Sequence, residues 1–310
     1  MIAIDTTGEH PIPANSIVVA ADGSDHAGRA VHWAAEQAFL ERRPLSVVTT
    51  VHAPDVPTSA WIGPGAVHPF NPQQLLEGAR ALAQEAADLA LHLHPGLDVS
   101  GVARVGDPRQ VLVEISRNAH LVVMGSRGRG VFRSKVLGSV SAAVSRDAGC
   151  PVVVCRPQGG AGEAQRGILV GADGTPESLP VIEFAFHQAS LMDLPLTAVH
   201  AVWDSVGAVH GPVMVSPRES GLDEYRVLLG ESVAGISSKF PEVPVDLRLA
   251  RGMAEDCLSD TTSLWNLIVV GRHPVDSLLR LVTGSVATTV VERSQTTVAV
   301  VPQADPAAEG

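Results

Sequence analysis

Cysteine is scarce in this chain, three residues in 310, and no two of them form a C-x-x-C pair. Cys150 and Cys155 flank one apolar run, and their odd separation puts them on opposite faces, roughly 16 Å apart at about 3.3 Å per residue of strand, far outside bridging distance. Buried, reduced thiols are the expectation. Basic excess is also missing. With a formal net charge of -11, the surface repels nucleic-acid phosphates and anionic lipid, so no nucleic-acid or membrane partner is expected. Nowhere do the roughly 18 apolar residues of a membrane span run together, and the opening MIAIDTTGEHPIPAN lacks the basic start and apolar stretch of an export signal. A cytoplasmic location is the expectation.

Catalytic signatures are absent as well. There is no G-x-x-x-x-G-K-(S/T) phosphate loop and no G-x-S-x-G nucleophile elbow. His92 and His94 have a metal-like look, but they fall near a helix end, where positions i and i+2 do not share a face. They read as surface residues, and no metal site built from protein is expected.

What is present is a repeat. The length suits two domains, and 45% hydrophobic with 18% charged residues is an ordinary globular balance. IVVAADGSDHAGRAVHWAAEQAFLERRPLSVVTTVHA from Ile17 aligns without gaps with ILVGADGTPESLPVIEFAFHQASLMDLPLTAVHAVWD from Ile168. LVVMGSRGRGVFRSKVLGSVSAAV from Leu121 aligns with LIVVGRHPVDSLLRLVTGSVATTV from Leu267, in the same order. The stretch between the halves, PQGGAGEAQRG, is polar and glycine-containing and reads as a linker, about residues 159–165, between domains spanning 1–158 and 166–304.

Each half has one coarse pattern. An apolar strand from Ile17 to Ala21 precedes a helix with Ala27, Ala30, Val31, Ala34 and Ala38 at helical spacing, then a strand from Leu45 to Val51. A proline-rich connection leads to an alanine-rich helix at about Gln73–His92, a strand near Val99–Val105, a helix near Arg109–Arg117 and a strand at Leu121–Gly125. A helix from Ser139 and a strand at Val152–Cys155 close the half. Strands alternating with helices imply a parallel sheet covered on both faces, with ligands at the carboxyl ends of the strands where the winding reverses. The last strands, Pro151–Cys155 and Thr297–Val301, are sheet edges open to pairing with each other or with another chain.

The glycines carry the chemistry. Gly125, Gly128 and Gly138-Ser139-Val140 follow the fourth strand of the first half in the spacing G-x2-G-x9-G-S. Glycines let main chain pass close to a polyphosphate, and the free amides at a helix start face outward with the positive end of its dipole behind them. Ser139 adds a hydroxyl. An ordinary helix cap would use the same Gly-Ser pair, but here it accompanies the Asp22-Gly23 turn and the right strand order. With these residues the chain resembles tandem two-domain, actinobacterial-type members of the universal stress protein family, whose ATP-binding members carry that glycine pattern.

The resemblance implies two tandem doubly wound α/β domains. Each would be a five-stranded parallel sheet of order 3-2-1-4-5, of the adenine-nucleotide-hydrolase-like kind, flanked by helices. It implies that Asp22 contacts the ribose or adenosine region, that Val51 binds adenine through its backbone, and that Gly125, Gly128, Gly138, Ser139 and Val140 hold ribose and phosphates. Ala20 would line the pocket. Arg127 and Arg129 are the better placed of the loop cations, ahead of Arg133 and Lys135. The cofactor expected is ATP, with magnesium entering only through the nucleotide.

The second half keeps Asp173, Val202, Gly271, Gly284, Ser285 and Val286, but Pro274 stands where the first half has Gly128. Proline has no amide to donate and locks φ near -65°. Losing one charge-assisted bond costs roughly 1.5–3 kcal/mol, so a weakened or empty second site is expected. The function implied is a regulatory nucleotide-binding module of the stress or growth-arrest response, acting as a homodimer around an internal pseudo-dimer. The alternatives are a slow ATP hydrolase or nucleotide-transfer enzyme, and a scaffold that binds no nucleotide. No enzyme activity beyond a slow ATPase is expected.

Overall fold

The structure, a computed structural model, describes residues 11–51, 72–128, 137–157, 167–259, 265–273 and 286–304. Its contacts divide the chain into two compact units, residues 1–131 and 132–310.

The first unit runs β1 (Ile17–Ala20), α1 (Asp25–Glu41), β2 (Leu45–Val51), α2 (Pro72–Leu93), β3 (Val99–Val105), α3 (Pro108–Ser116) and β4 (Leu121–Gly125). Its strands lie in the order β3-β2-β1-β4, all parallel. Ile17, Val18 and Val19 are fully buried, as strands covered by helices on both faces require. The α1 stripe read from spacing is the buried face, with Ala27, Ala30, Val31, Ala34 and Ala38 all inside. Ser24 opens that helix by accepting from the Ala27 amide at 3.2 Å, and Arg42 in the left-handed region, φ 53°, ends it. The inner face of α2 is built of Ala79, Ala83, Ala87 and Ala90. These small side chains let it lie close to β3, where a Cβ on Gly101 would stand 3.2 Å from the Ala83 backbone.

The second unit begins with α4 (Ser139–Asp147) and β5 (Val152–Cys155), the last elements of the first repeat. It continues with β6 (Ile168–Gly171), α5 (Leu179–Met192), β7 (Leu196–Val202), α6 (Ser205–His210), β8 (Val213–Met214) and α7 (Asp223–Ser237). β9 (Val245–Arg251), α8 (Ala254–Leu258), β10 (Leu267–Arg272), α9 (Val286–Arg293) and β11 (Val298–Pro302) complete it. The sheet order is β5-β11-β10-β6-β7-β9-β8. Counted within the second repeat, β9-β7-β6-β10-β11 is the expected order 3-2-1-4-5, and all of these are parallel neighbours.

Two further features shape the second unit. In the second repeat α6 and β8 occupy the connection between the second and third strands of the pattern, and β8 pairs antiparallel with β9. Asp204 caps α6 through bonds from the Val206 and Gly207 amides at 3.0 and 2.9 Å. Gly207 is pressed against the backbone of Gly252, 2.6 Å from where a Cβ would sit. The other feature is that β5 pairs antiparallel with β11 in the register Val154↔Val298, Val153↔Ala299 and Val152↔Val300. The two sheet edges read from the sequence satisfy each other, which is why β5 and α4 group with the second repeat.

A pair of buried arginines reinforces that junction. Arg156, just after β5, donates from Nη2 to the carbonyls of Val291 and, at 3.1 Å, Glu292 near the end of α9. Arg272, at the end of β10, donates to the carbonyl of Ala148 at the end of α4. Each repeat thus supplies the cation that closes the carboxyl end of the other repeat's helix, where unsatisfied carbonyls and the negative end of the dipole favour it.

Candidate functional site

In the first unit, the end of β1 leads into a turn held by Asp22. Gly23 adopts φ 77°, a conformation that side chains disfavour, and Asp22 Oδ1 accepts from the Ser24 amide at 3.0 Å. The other oxygen, Oδ2, lies beside Gly128, only 2.5 Å from where a Cβ on that glycine would be. The sequence-derived pair Asp22 and Gly128 is therefore brought together. Gly125 is equally confined, since its Cβ would fall 2.7 Å from the main chain of His26 in α1. Ser126 is fully buried and its Oγ lies 3.3 Å from His26 Nδ1, tying the start of α1 to the residue after β4.

Ala20 and Val51 are half-buried at the carboxyl ends of β1 and β2, and Arg127 is half-buried after β4. The Val51 carbonyl accepts from the Gly106 amide at 2.9 Å, so that group already has one partner. Arg129, Arg133 and Lys135 lie outside the described residues.

Gly138, Ser139 and Val140 belong to the second unit, where they open α4. Gly138 is the N-cap, with φ -66° and ψ 147°, and no side chain caps the helix. Ser139 is exposed. A glycine N-cap has no side chain to offer the first-turn amides, and helix starts of this kind receive anions.

The second repeat holds a cavity of about 260 Å³ at the carboxyl ends of β6, β7 and β10. Asp173, Gly271 and Val286 line it, as the alignment implies. Val202 does not. It is 5% exposed, and β7 reaches the cavity through Val199, His200 and Ala201 instead. Gly284, Ser285 and Pro274 lie outside the described residues. Asp173 repeats the turn of Asp22: Gly174 has φ 82°, and the Thr175 amide and hydroxyl donate to Asp173 Oδ1 at 2.9 and 2.7 Å.

Four residues escaped the reading of motifs. His26 buttresses Ser126. Gln303, after β11, donates from Nε2 to Asp173 Oδ2 at 2.9 Å. His200 bonds the Ala172 carbonyl at 2.9 Å, the bond that Thr49 makes to the Ala21 carbonyl at 2.8 Å in the first repeat. Arg272 lines the same cavity while reaching Ala148. For the last three the available signal was a difference between the aligned halves: Gln303 falls opposite Pro157, His200 opposite Thr49 and Arg272 opposite Ser126. Among the described residues no three His, Cys, Asp or Glu side chains are grouped to hold a metal ion. His94 is occupied by Glu36 at 2.9 Å and stacks on Phe39. No described helix is long and apolar enough to cross a membrane.

Comparison with known proteins agrees with this architecture. The profile of the universal stress protein family matches residues 14–156 and again 166–302. A universal stress protein of Mycobacterium tuberculosis is 33% identical over 310 residues, covering 94% of this chain and 99% of its own. One from Mycolicibacterium smegmatis is 33% identical over 293 residues, covering 92% and 96%. Among solved structures, a universal stress protein from Archaeoglobus fulgidus shares the fold with a TM-score of 0.66 at 18% identity, over 94% of this chain and 97% of that one. Both halves are matched, each by the same profile, and relatives 33% identical align over more than nine-tenths of both chains: the chain belongs to the universal stress protein family.

Proposed function

We propose that the first repeat binds ATP and that the chain works as a regulatory nucleotide-binding module rather than as an enzyme. The residues assigned to the nucleotide are Ala20, Asp22, Val51, Gly125, Arg127, Gly128, Arg129, Gly138, Ser139 and Val140. The observation that carries the reading is the start of α4, where the N-cap is a glycine with no side chain of its own to cap the first-turn amides. Anionic oxygens are the natural partners for such amides. The approach of Asp22 to Gly128 supports it, since two of the residues assigned to the nucleotide meet there. The sequence around the glycines carries neither a G-x-x-x-x-G-K-(S/T) loop nor a G-x-S-x-G elbow, which is why regulation is favoured over turnover. For regulation, ATP must prefer one conformation or assembly of the chain over another.

Two measurements test this. Acid extraction of the purified chain, with identification of released nucleotide, is expected to yield an adenine nucleotide. Mg-ATP at millimolar concentration is expected to raise the melting temperature of the unmodified chain and to leave that of Gly138→Trp unchanged. Equal ATP affinity in the two proteins overturns the assignment. Phosphate release of several turnovers per minute would replace the regulatory module with a hydrolase.

A further inference from the structure

We infer that the cavity of the second repeat is a binding site for a neutral, nucleoside-sized ligand that donates hydrogen bonds, and that it does not recognise polyphosphate. The two repeats would then hold different classes of ligand in pockets of common origin.

The polar groups in this cavity define the ligand. Asp173 would ordinarily call for a diol or a cation, but its oxygens are already engaged by Thr175 and by the Gln303 carboxamide. Gln303 has in turn spent its Nε2 on that contact. Its Oε1 is buried and has no hydrogen-bond partner among the described residues, and the side chain is 9% exposed. An unpartnered buried acceptor is costly unless a ligand or water supplies the missing donor. The carboxamide is also held in position: the Gln303 amide donates to the Arg272 carbonyl and the Ala304 amide to the Glu177 carbonyl, both at 2.9 Å.

His200 adds a second acceptor to the wall. A carbonyl has only lone pairs, so the 2.9 Å contact with the Ala172 oxygen requires the proton on Nδ1. In the neutral ring Nε2 is left as an acceptor. The remaining lining is largely apolar, with Val181, Leu258 and Val270 among it. At about 260 Å³ the cavity lies just below the usual size range of small-molecule pockets, about 300–1,000 Å³. That space suits a nucleoside more than a triphosphate.

One element of phosphate recognition is missing at the same time, although Gly284 and Ser285 are kept. Pro274 replaces the amide that Gly128 offers in the first repeat. Arg272 takes the place of a neutral serine, yet its guanidinium donates to the Ala148 carbonyl at the end of α4. Gln303 and His200 thus add donor-seeking groups to one pocket.

The choice of a nucleoside as probe rests on the nucleotide reading of the first repeat; the acceptor-lined cavity does not. The test titrates adenosine, and separately Mg-ATP, into the full chain carrying Gly138→Trp, so that the first repeat is silent. The unmodified chain is titrated with Mg-ATP alongside, which shows independently whether the first-repeat reading holds. Adenosine is expected to bind the Gly138→Trp chain at one site, at least tenfold more tightly than Mg-ATP. Adding Gln303→Leu is expected to weaken adenosine at least tenfold. His200→Thr, which installs the residue the first repeat already tolerates, is expected to weaken it severalfold and guards against misfolding of the first variant. Adenosine that fails to bind, Mg-ATP that binds equally well, or affinity unmoved by both substitutions overturns the inference.

Discussion

Glu41, at the end of α1, has a side chain only 4% exposed and sits against His120 at 2.7 Å and Arg43 at 2.9 Å. Burial alone would raise its pKa, but hydrogen bonds from His120, Gln37 and Arg43 outweigh it and bring the carboxyl from 4.5 down to about 2. A carboxylate depressed in the folded state stabilises fully above its unfolded pKa and loses that contribution as pH falls through the folded one. The window is therefore about pH 5 down to about pH 2, and the stake is on the order of 3 kcal/mol. Glu41→Gln is expected to be less stable than the unmodified chain at pH 7 and to close most of that gap by pH 2.5. Urea denaturation at the two pH values checks it, and a gap of the same size at both rejects the role given to Glu41. The same scale separates Asp22 from Asp173, which share a turn but not their company. Gly128 meets one carboxylate where Gln303 meets the other, and no local propensity distinguishes the two.

Helix ends and strand edges are where the repeats join, and Arg156 tests that junction. Arg156→Met keeps most of the apolar stem but leaves the carbonyls of Val291 and Glu292 at the end of α9 without their cation. Orphaned buried acceptors cost about 1–3 kcal/mol, so a melting temperature lower by several degrees is expected, with Arg156→Lys intermediate. Calorimetry checks it, and an unchanged midpoint would remove the arginines from the account of the junction. Elements of this kind mark how far the sequence was legible. β1, β4 and β5 announced themselves because continuous apolar runs are what burial on both faces demands, and the α1 stripe followed from its period. The short α6 and β8 did not. A capping aspartate and a two-residue bridge are decided by the packing of Gly207 on Gly252 rather than by any pattern in a window of residues. In the candidate site the glycines were legible from spacing, whereas Gln303 lies far along the chain from Asp173 and became visible only once the fold had placed both.

The two repeats of this molecule differ in the residues at their strand ends, and the junction connects them. α4 offers its first-turn amides at Gly138 and Ser139, the end assigned to phosphate, and its opposite end is held by Arg272 of the second repeat's cavity. Arg156 performs the matching service for the end of α9. The symmetry supplies a control. Arg272→Met and Arg156→Met remove comparable bonds and are expected to lower stability alike, but only the first loosens α4. Mg-ATP affinity is accordingly expected to fall about three- to tenfold in Arg272→Met, within the usual range of coupling between sites, and to stay unchanged in Arg156→Met. Isothermal titration of the two proteins decides it. An equal loss in both would reduce the effect to general destabilisation, and no loss in either would leave the helix without any role in carrying the state of one pocket to the other.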